Sequence, residues 1–314
     1  MKTTRKDINR MITERIIERI RKTGTLPWKK PWSSPGGLPR NLISHKPYRG
    51  VNAFLLHAMG YASPCWLTMR QANALGGKIR KGEHACPVVF WKFIGDEDND
   101  TPNETTAGTT ERKRYALLRY YSVFNVTQCE GLPEERVVIP ATETKSFDPV
   151  AEAERLVREM PDPPQIRYDS RRASYNPQRD LVRMPPREHF SSAGGFYDAL
   201  FHELTHATGH GKRLNRKGVA QSAAFGSDPY SAEELVAEMG SAFLLGECGL
   251  LKETEQNNAA YLKHWIERLK ADPGLLVQAG SQAQKAYDWI TTRQPEPAVA
   301  TTGTPLFAGI CPQS

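Results

Sequence analysis

Phe201-His202-Glu203-Leu204-Thr205-His206-Ala207-Thr208-Gly209-His210 contains the pattern His-Glu-x-x-His, and the rest of the chain is read outward from it. On a helix, residues four apart stack on one face. His202 and His206 then point the same way, as two imidazoles on one Zn²⁺ require. Glu203 lies one residue past the first His. Its carboxylate sits beside the ion without binding it, the place of a general base acting on metal-activated water. The flanks read as helix. Ser191-Ser192-Ala193-Gly194-Gly195 is a start signal, Phe196, Ala199, Leu200, Leu204 and Ala207 form an apolar stripe, and Gly209 is a stop. A buried helix carrying His and Glu without partners is costly, and a metal resolves that cost.

A catalytic zinc site needs a third protein ligand and an open position. The best donor lies downstream, where Asp228 as N-cap and Pro229 at the first helical position open a second helix. Glu234 and Glu238 are four apart and share a face. Glu234 is assigned as the ligand, and Glu238 as the carboxylate that accepts the free N–H of a ligating His. Their spacing resembles the Glu-x-x-x-Asp segment of gluzincin metallopeptidases, whose first carboxylate binds the metal. Ser231-x-x-Glu234 also reads as a capping box, which would turn Glu234 onto backbone N–H groups instead. Glu238, Glu233 and His210 are the other candidates for third ligand, and His210 lies beyond the expected helix end at Gly209.

With 314 residues the chain has room for two domains, each able to bury a core. Apolar content of 39% and charged content of 25% belong to a globular protein. No apolar run approaches the roughly 20 residues of a membrane span, so no membrane partner is expected. Met1 to Arg10 is charged and lacks the apolar core of a signal peptide. The five scattered Cys form neither a metal-spaced pair nor a disulfide framework. Both features fit a reducing cytoplasm. Charge is uneven. Residues 1–50 carry thirteen Lys and Arg against three acids, a local +10 within a total of +7, which leaves −3 for the remainder. The first part is therefore expected to meet a polyanion.

Asp7 to Lys22 reads as an amphipathic helix ended by Gly24, with Ile8, Met11, Ile12, Ile16 and Ile20 on its apolar face. Short helices are expected over Asn52 to Met59 and Thr68 to Leu75. Strands are expected over Pro87 to Phe93 and Arg114 to Val126, separated by a loop from Gly95 to Thr110. A new unit opens at Pro149 with a helix to Glu159. Ile166 to Tyr168, Ala173 to Tyr175 and Leu181 to Met184 are short strands, with a turn at Asn176-Pro177. An edge strand above the His helix would pair with extended peptide. Glu255 to Lys270 and Pro273 to Trp289 are two further helices.

Single-strand binders stack bases on aromatic rings beside Lys and Arg on phosphates. Trp28, Trp32, Tyr48, Trp91, Tyr120 and Tyr121 are the stacking candidates. Lys29, Lys30, Lys46, Arg49, Lys78, Arg80 and Lys81 are the phosphate candidates.

Several motifs together resemble one family. They are Trp28-x-x-Pro31-Trp32, Tyr48-Arg49-Gly50-x-Asn52, Lys81-Gly82-Glu83, Asp180-x-x-x-Met184-Pro185, Phe190, the His202 to His210 segment, Arg213-Leu214-Asn215-Arg216 and Glu233-Glu234-Leu235-Val236-Ala237-Glu238. In this order they are similar to the ArdC-type antirestriction proteins of conjugative plasmids, over nearly the whole chain to about residue 290. The resemblance implies an α+β chain in two domains. A small α+β domain over residues 1–130 would bind single-stranded DNA. A linker over 131–148 would lead to a mainly helical, zincin-like metallopeptidase domain with a short sheet over 149–292, similar to the SprT proteases that act on DNA-bound proteins. A mobile tail would follow over 293–314. The implied role is protection of incoming plasmid DNA from restriction in the bacterial cytoplasm, including that of the recipient cell. Zn²⁺, or another divalent ion such as Mn²⁺, is the expected cofactor, and DNA-bound host proteins are the expected protein substrates. Tyr230 or Arg213 would stabilise the oxyanion. The alternative is a DNA-binding protective protein whose metal is structural or regulatory.

Overall fold

Thr4 and Asp7 form a capping box that opens helix α1 (Arg5–Thr23), and Gly24 closes it at a φ of 65°. Ile8, Ile12, Ile16 and Ile20 recur along one face, and all four are buried. In the computed structural model the described residues are 4–29, 38–94, 115–133, 149–220, 228–250 and 259–293. The expected loop from Gly95 to Thr110, most of the expected linker and the tail from Gln294 lie outside them. Arg293, the first residue assigned to that tail, is held by Glu247 at 2.5 Å.

After α1 come strand β1 (Arg40–Asn41), helix α2 (Val51–Ala58), strand β2 (Cys65–Leu67) and helix α3 (Met69–Ala74), capped by Thr68 and Gln71 as a box. Strand β3 (Lys78–Ile79), the long strands β4 (Cys86–Ile94) and β5 (Tyr115–Asn125), and β6 (Cys129–Glu130) complete this half. The main sheet has the order β1-β2-β5-β4, parallel between β1 and β2 and antiparallel elsewhere, while β3 and β6 form a separate ribbon.

The second half begins with helix α4 (Pro149–Glu159) and a small sheet of β7 (Gln165–Arg167), β8 (Ser174–Asn176) and β9 (Leu181–Arg183) in the order β7-β9-β8. The last strand before the His helix is therefore central, and β7 and β8 are the two edges. Helices α5 (Ala193–Ala207), α6 (Lys217–Ala220), α7 (Asp228–Cys248), α8 (Ala259–Ala271) and α9 (Leu275–Ile290) follow. Helix α7 is the hub, packing on α5 along one side and α9 along another.

The larger hydrophobic core runs through both halves, and a smaller one gathers Leu42, Leu67, Ala72 and Val126. The Ile ridge of α1 meets Trp28, Phe54, Phe243, Trp265 and Leu276 in it. Phe54 of α2 lies 4.7 Å from Phe243 of α7, centroid to centroid. Thr13 of α1 donates to the Pro273 carbonyl at 2.9 Å. The backbones also touch, because a Cβ added at Gly280 of α9 would lie 2.6 Å from the Val51 nitrogen. The two domains are thus welded along α1, α2, α7 and α9.

Candidate metal centre and nucleic-acid surface

Ser192 caps α5 by accepting the Gly195 N–H at 3.0 Å, so the helix starts where its Ser-Ser-Ala-Gly-Gly signal predicts. Helix α7 approaches it closely at Gly240. A Cβ there would stand 2.5 Å from Thr205 Cγ2, so glycine permits the approach. Ser241 adds a hydrogen bond to the Asp198 carboxylate at 2.7 Å. These contacts set α7 so that Glu234 faces the two His of α5.

His202 Nε2 and His206 Nε2 are 3.1 Å apart, and the Glu234 carboxylate oxygens lie 3.5 Å from the first and 3.4 Å from the second. A tetrahedral ion with bonds of about 2.0–2.1 Å has ligand–ligand edges of about 3.3 Å. The three side chains thus outline one face of such a coordination shell and suit a divalent ion. Ser231 is buried within α7 rather than placed at its start, so the capping-box alternative for Glu234 does not form. Charge is matched to the same end. Burial raises the Glu234 pKa, but hydrogen bonds from His202 and His206 outweigh it and hold the carboxyl below its usual range. Burial pushes His206 down, and hydrogen bonds to Glu233 and Glu234 more than reverse it. A site that binds a proton so readily is electrostatically suited to a metal cation.

The carboxylate behind the ligating imidazole is Glu233, not Glu238 as expected. Glu233 Oε1 lies 3.3 Å from His206 Nδ1, whereas Glu238 does not line the site cavity. The reason is the shape of the ring. Nδ1 and Nε2 point in roughly opposite directions, so ligand and backing group come from neighbouring positions of α7, not from one helical face. Arg216 holds Glu233 in place. Its Nε reaches both carboxylate oxygens at 3.2 and 3.1 Å, and its Nη2 lies 2.6 Å from Oε1. The same guanidinium caps the end of α5 through the Thr205 carbonyl and Thr208 Oγ1, each at 2.6 Å. Sequence spacing carried no sign of this pairing.

Glu203 is 8% exposed. Burial lifts its pKa above the usual carboxylate value, Glu234 adds to the rise, and His202 and His206 oppose it. The backbone of Tyr175 in strand β8 also opposes the rise, and Tyr175 and Glu203 line the same cavity. Tyr175, Pro177 and Gln178 wall one side of a cavity of about 430 Å³ whose other side is His202, Glu203, His206 and Glu234. Among the described residues, these two His and Glu234 form the one cluster suited to a metal. His210 is outside it.

Arg213 is not free for an oxyanion. It is buried and binds Asp180, the Ala207 carbonyl at 2.6 Å and the Tyr175 hydroxyl at 3.2 Å. It therefore joins the end of α5 to the β8–β9 turn. The Tyr230 side chain lies outside the described part of the chain.

The expected nucleic-acid residues divide. Trp28 is fully buried and meets Trp265 edge-on at 5.4 Å, and Tyr48 is buried too, so neither ring is open to a base. Arg49 is taken by Asp288 at 2.5 Å, a bond between the two halves. Lys78 pairs with Glu130 at 3.1 Å, and Arg80 with Glu83 at 3.5 Å and the Thr127 carbonyl. Lys81 and Lys46 are exposed. Lys30 and Trp32 lie outside the described residues, as do the side chains of Lys29 and Trp91. The open aromatic surface is on β4 and β5. Phe90, Tyr120 and Tyr121 are each about two-fifths exposed. Phe90 and Tyr121 are 5.5 Å apart, with exposed Arg119 paired opposite Phe90.

Residues 6–124 match a family model described as the N-terminal domain of anti-restriction factor ArdC, and residues 151–282 match one described as a zincin-like metallopeptidase. The uncharacterized protein y4eC of Sinorhizobium fredii (strain NBRC 101917 / NGR234) is 36% identical over 296 residues, covering 92% of each chain. Two proteins named DNA primase TraC from Escherichia coli are 35% and 33% identical over 92% and 91% of this chain, which spans only 27% and 20% of their lengths. Crystal structures of the antirestriction ArdC protein from the R388 plasmid, metal-free and Mn(II)-bound, each align with a TM-score of 0.68 at 34% identity. Both cover 91% of this chain, and 97% and 98% of their own.

Proposed function

The chain belongs to the ArdC family of antirestriction proteins, and from that premise we propose that it binds single-stranded DNA through its N-terminal half and carries a Zn²⁺-dependent peptidase centre in its C-terminal half. One observation carries the peptidase reading. His202 and His206 bring their Nε2 atoms to 3.1 Å, and the two carboxylate oxygens of Glu234 face them at 3.5 and 3.4 Å, with Glu203 beside them in the same cavity. The exposed Phe90 and Tyr121, with Arg119 on the same face of the sheet, support the strand-binding reading. Its role is protection of incoming DNA from restriction, and proteins bound to that DNA are its substrates.

The protein's own part in hydrolysis follows from its groups. A divalent ion, when bound, supplies Lewis acidity that makes water acidic near neutral pH and polarises a carbonyl. Glu203 takes a proton on a carboxylate oxygen and passes it to the departing amine, which a raised pKa favours. The free edge of β8 aligns an extended peptide by main-chain pairing. Glu233, held by Arg216, keeps the His206 ring turned so that Nε2 faces Glu234 and His202.

A second reading has its own support. The centre bridges α5 and α7 next to the core that both halves share, so a metal there would also brace the fold. An antirestriction assay separates the two. If hydrolysis is the protective step, Glu203→Gln loses protection while it keeps metal and DNA binding. Retained protection by that variant assigns the metal a structural or regulatory role.

A further inference from the structure

Residues 165–187 hold six Arg and no Lys, within a half whose overall balance is mildly acidic. Strand register gathers them. Arg167 of β7 lies beside Arg183 of β9, with Ser174 of β8 on the other side, and all three are exposed. Arg171 and Arg172 occupy the turn before β8, and Arg179 the turn after it. Arg183 is paired with Asp169 at 2.9 Å, and Arg187 with Glu154. Arg167, Arg171, Arg172 and Arg179 are exposed, with no carboxylate within ion-pair distance among the described residues. Asp169 lies close enough to Arg183 and Arg167 to offset part of their charge, and Arg171, Arg172 and Arg179 add three more cations at the turns on either side of β8.

An aromatic ring borders this surface at the end of β7, turned toward α5. Tyr168 is 45% exposed and lies nearly parallel to Phe196, at 26° and 6.2 Å. The Arg187 guanidinium is 4.7 Å from the Phe196 centroid. This backing holds Tyr168 as a rigid platform.

We propose that the Arg-bearing outer face of the β7-β9-β8 sheet, together with the adjoining edge of β7 that carries Tyr168, is a second binding surface for single-stranded nucleic acid, distinct from the aromatic face of β4 and β5. Arg167, Arg171, Arg172 and Arg179 contact phosphates, and Tyr168 stacks on a base. Guanidinium forks match phosphate geometry, and an open ring beside them favours a strand with unpaired bases over an acidic peptide. Because β8 also rims the metal cavity, the strand and anything bound to it are held next to that centre. This inference rests on the reading that the chain binds single strands at all.

The test uses the full chain and a fluorescein-labelled thymidine 30-mer, with anisotropy followed across a salt series. Changing the four Arg to Gln together is expected to weaken binding by on the order of tenfold or more, and to lower the log–log salt slope by about 3, from about 0.7 per phosphate lost. Tyr168→Ala is expected to weaken binding by on the order of tenfold with the slope unchanged. Unaltered melting temperatures exclude misfolding, which removal of exposed side chains should not cause. Wild-type affinity and slope in the fourfold variant overturn the proposal. Lost binding of a polyglutamate peptide in that variant, with strand binding intact, overturns it in favour of an acidic peptide. A wild-type chain that binds no 30-mer overturns this surface and the strand-binding function together, whereas loss confined to Phe90→Ala/Tyr121→Ala overturns this surface alone.

Discussion

Two side chains decide how the centre works, and they differ in how they are recognised. Glu203 follows from local spacing, because the residue after the first His of a helical His-Glu-x-x-His must fall beside the second. Glu203→Gln keeps the volume and removes the base. It is expected to bind metal as the wild type does and to lower peptide hydrolysis at least about a hundredfold, measured with a casein or DNA-bound protein substrate. Glu233 and Arg216 could not be read this way. Their partnership joins α7 to the loop after α5, and no period in the sequence links the two. Arg216→Ala strands a buried carboxylate, which typically costs about 3–5 kcal/mol. Urea unfolding should show that loss, and titration with Zn²⁺ should show weaker binding, both partly restored in Arg216→Lys. Asp180 supplies a pH dependence. Burial raises its pKa, and hydrogen bonds from Arg213 and Tyr175 lower it further than burial lifts it. The folded value is thus depressed, so its stabilisation is present above about pH 3.9 and is lost as pH falls through the folded value. The melting-temperature gap between wild type and Arg213→Met should therefore narrow on acidification below about pH 4.

At the scale of elements, helices with strong periodicity were legible and their ends nearly so. The Ile ridge of α1, the Thr68 cap of α3, the Pro149 start of α4 and the Ser192 cap of α5 all appear where capping chemistry puts them. Strand ranges shifted by one or two residues, as in β7 at Gln165–Arg167 against an expected Ile166 to Tyr168. Sheet order was not legible, because hydrophobic alternation says nothing of which short strand takes the edge. The edges fell to β7 and β8, and β8 is the one beside the metal cavity. Close approach of α5 and α7 was also hidden, since Gly240 reads as an ordinary helical glycine until Thr205 is placed against it. Gly240→Ala adds a methyl where Thr205 Cγ2 would be 2.5 Å away. Overpacking of this kind costs about 1–3 kcal/mol. It should lower the melting temperature and, by moving Glu234 away from the His pair, weaken metal binding. Normal stability and metal affinity in that variant would show that the two helices can separate without cost.

For the whole molecule, an aromatic-basic composition misled about individual residues. Trp28 and Arg49 serve the junction between the halves, and Tyr48 is buried inside the N-terminal half. A sequence cannot distinguish a Trp that returns to the core after a helix from one that faces solvent. The junction itself makes a prediction. Trp28→Ala removes a fully buried ring from the shared core and should cost about 3–5 kcal/mol. The loss should appear as one cooperative transition at lower temperature, with both halves affected, rather than as melting of the N-terminal half alone.

The central claim is a divalent ion held jointly by α5 and α7. Its most direct test is metal content by plasma mass spectrometry after reconstitution with Zn²⁺ and gel filtration, for wild type and for His202→Ala, His206→Ala and Glu234→Ala. About one ion per folded wild-type chain and almost none in each variant is the expected result. Equal retention by the Glu234→Ala variant, or a wild-type chain that retains no metal, would contradict it.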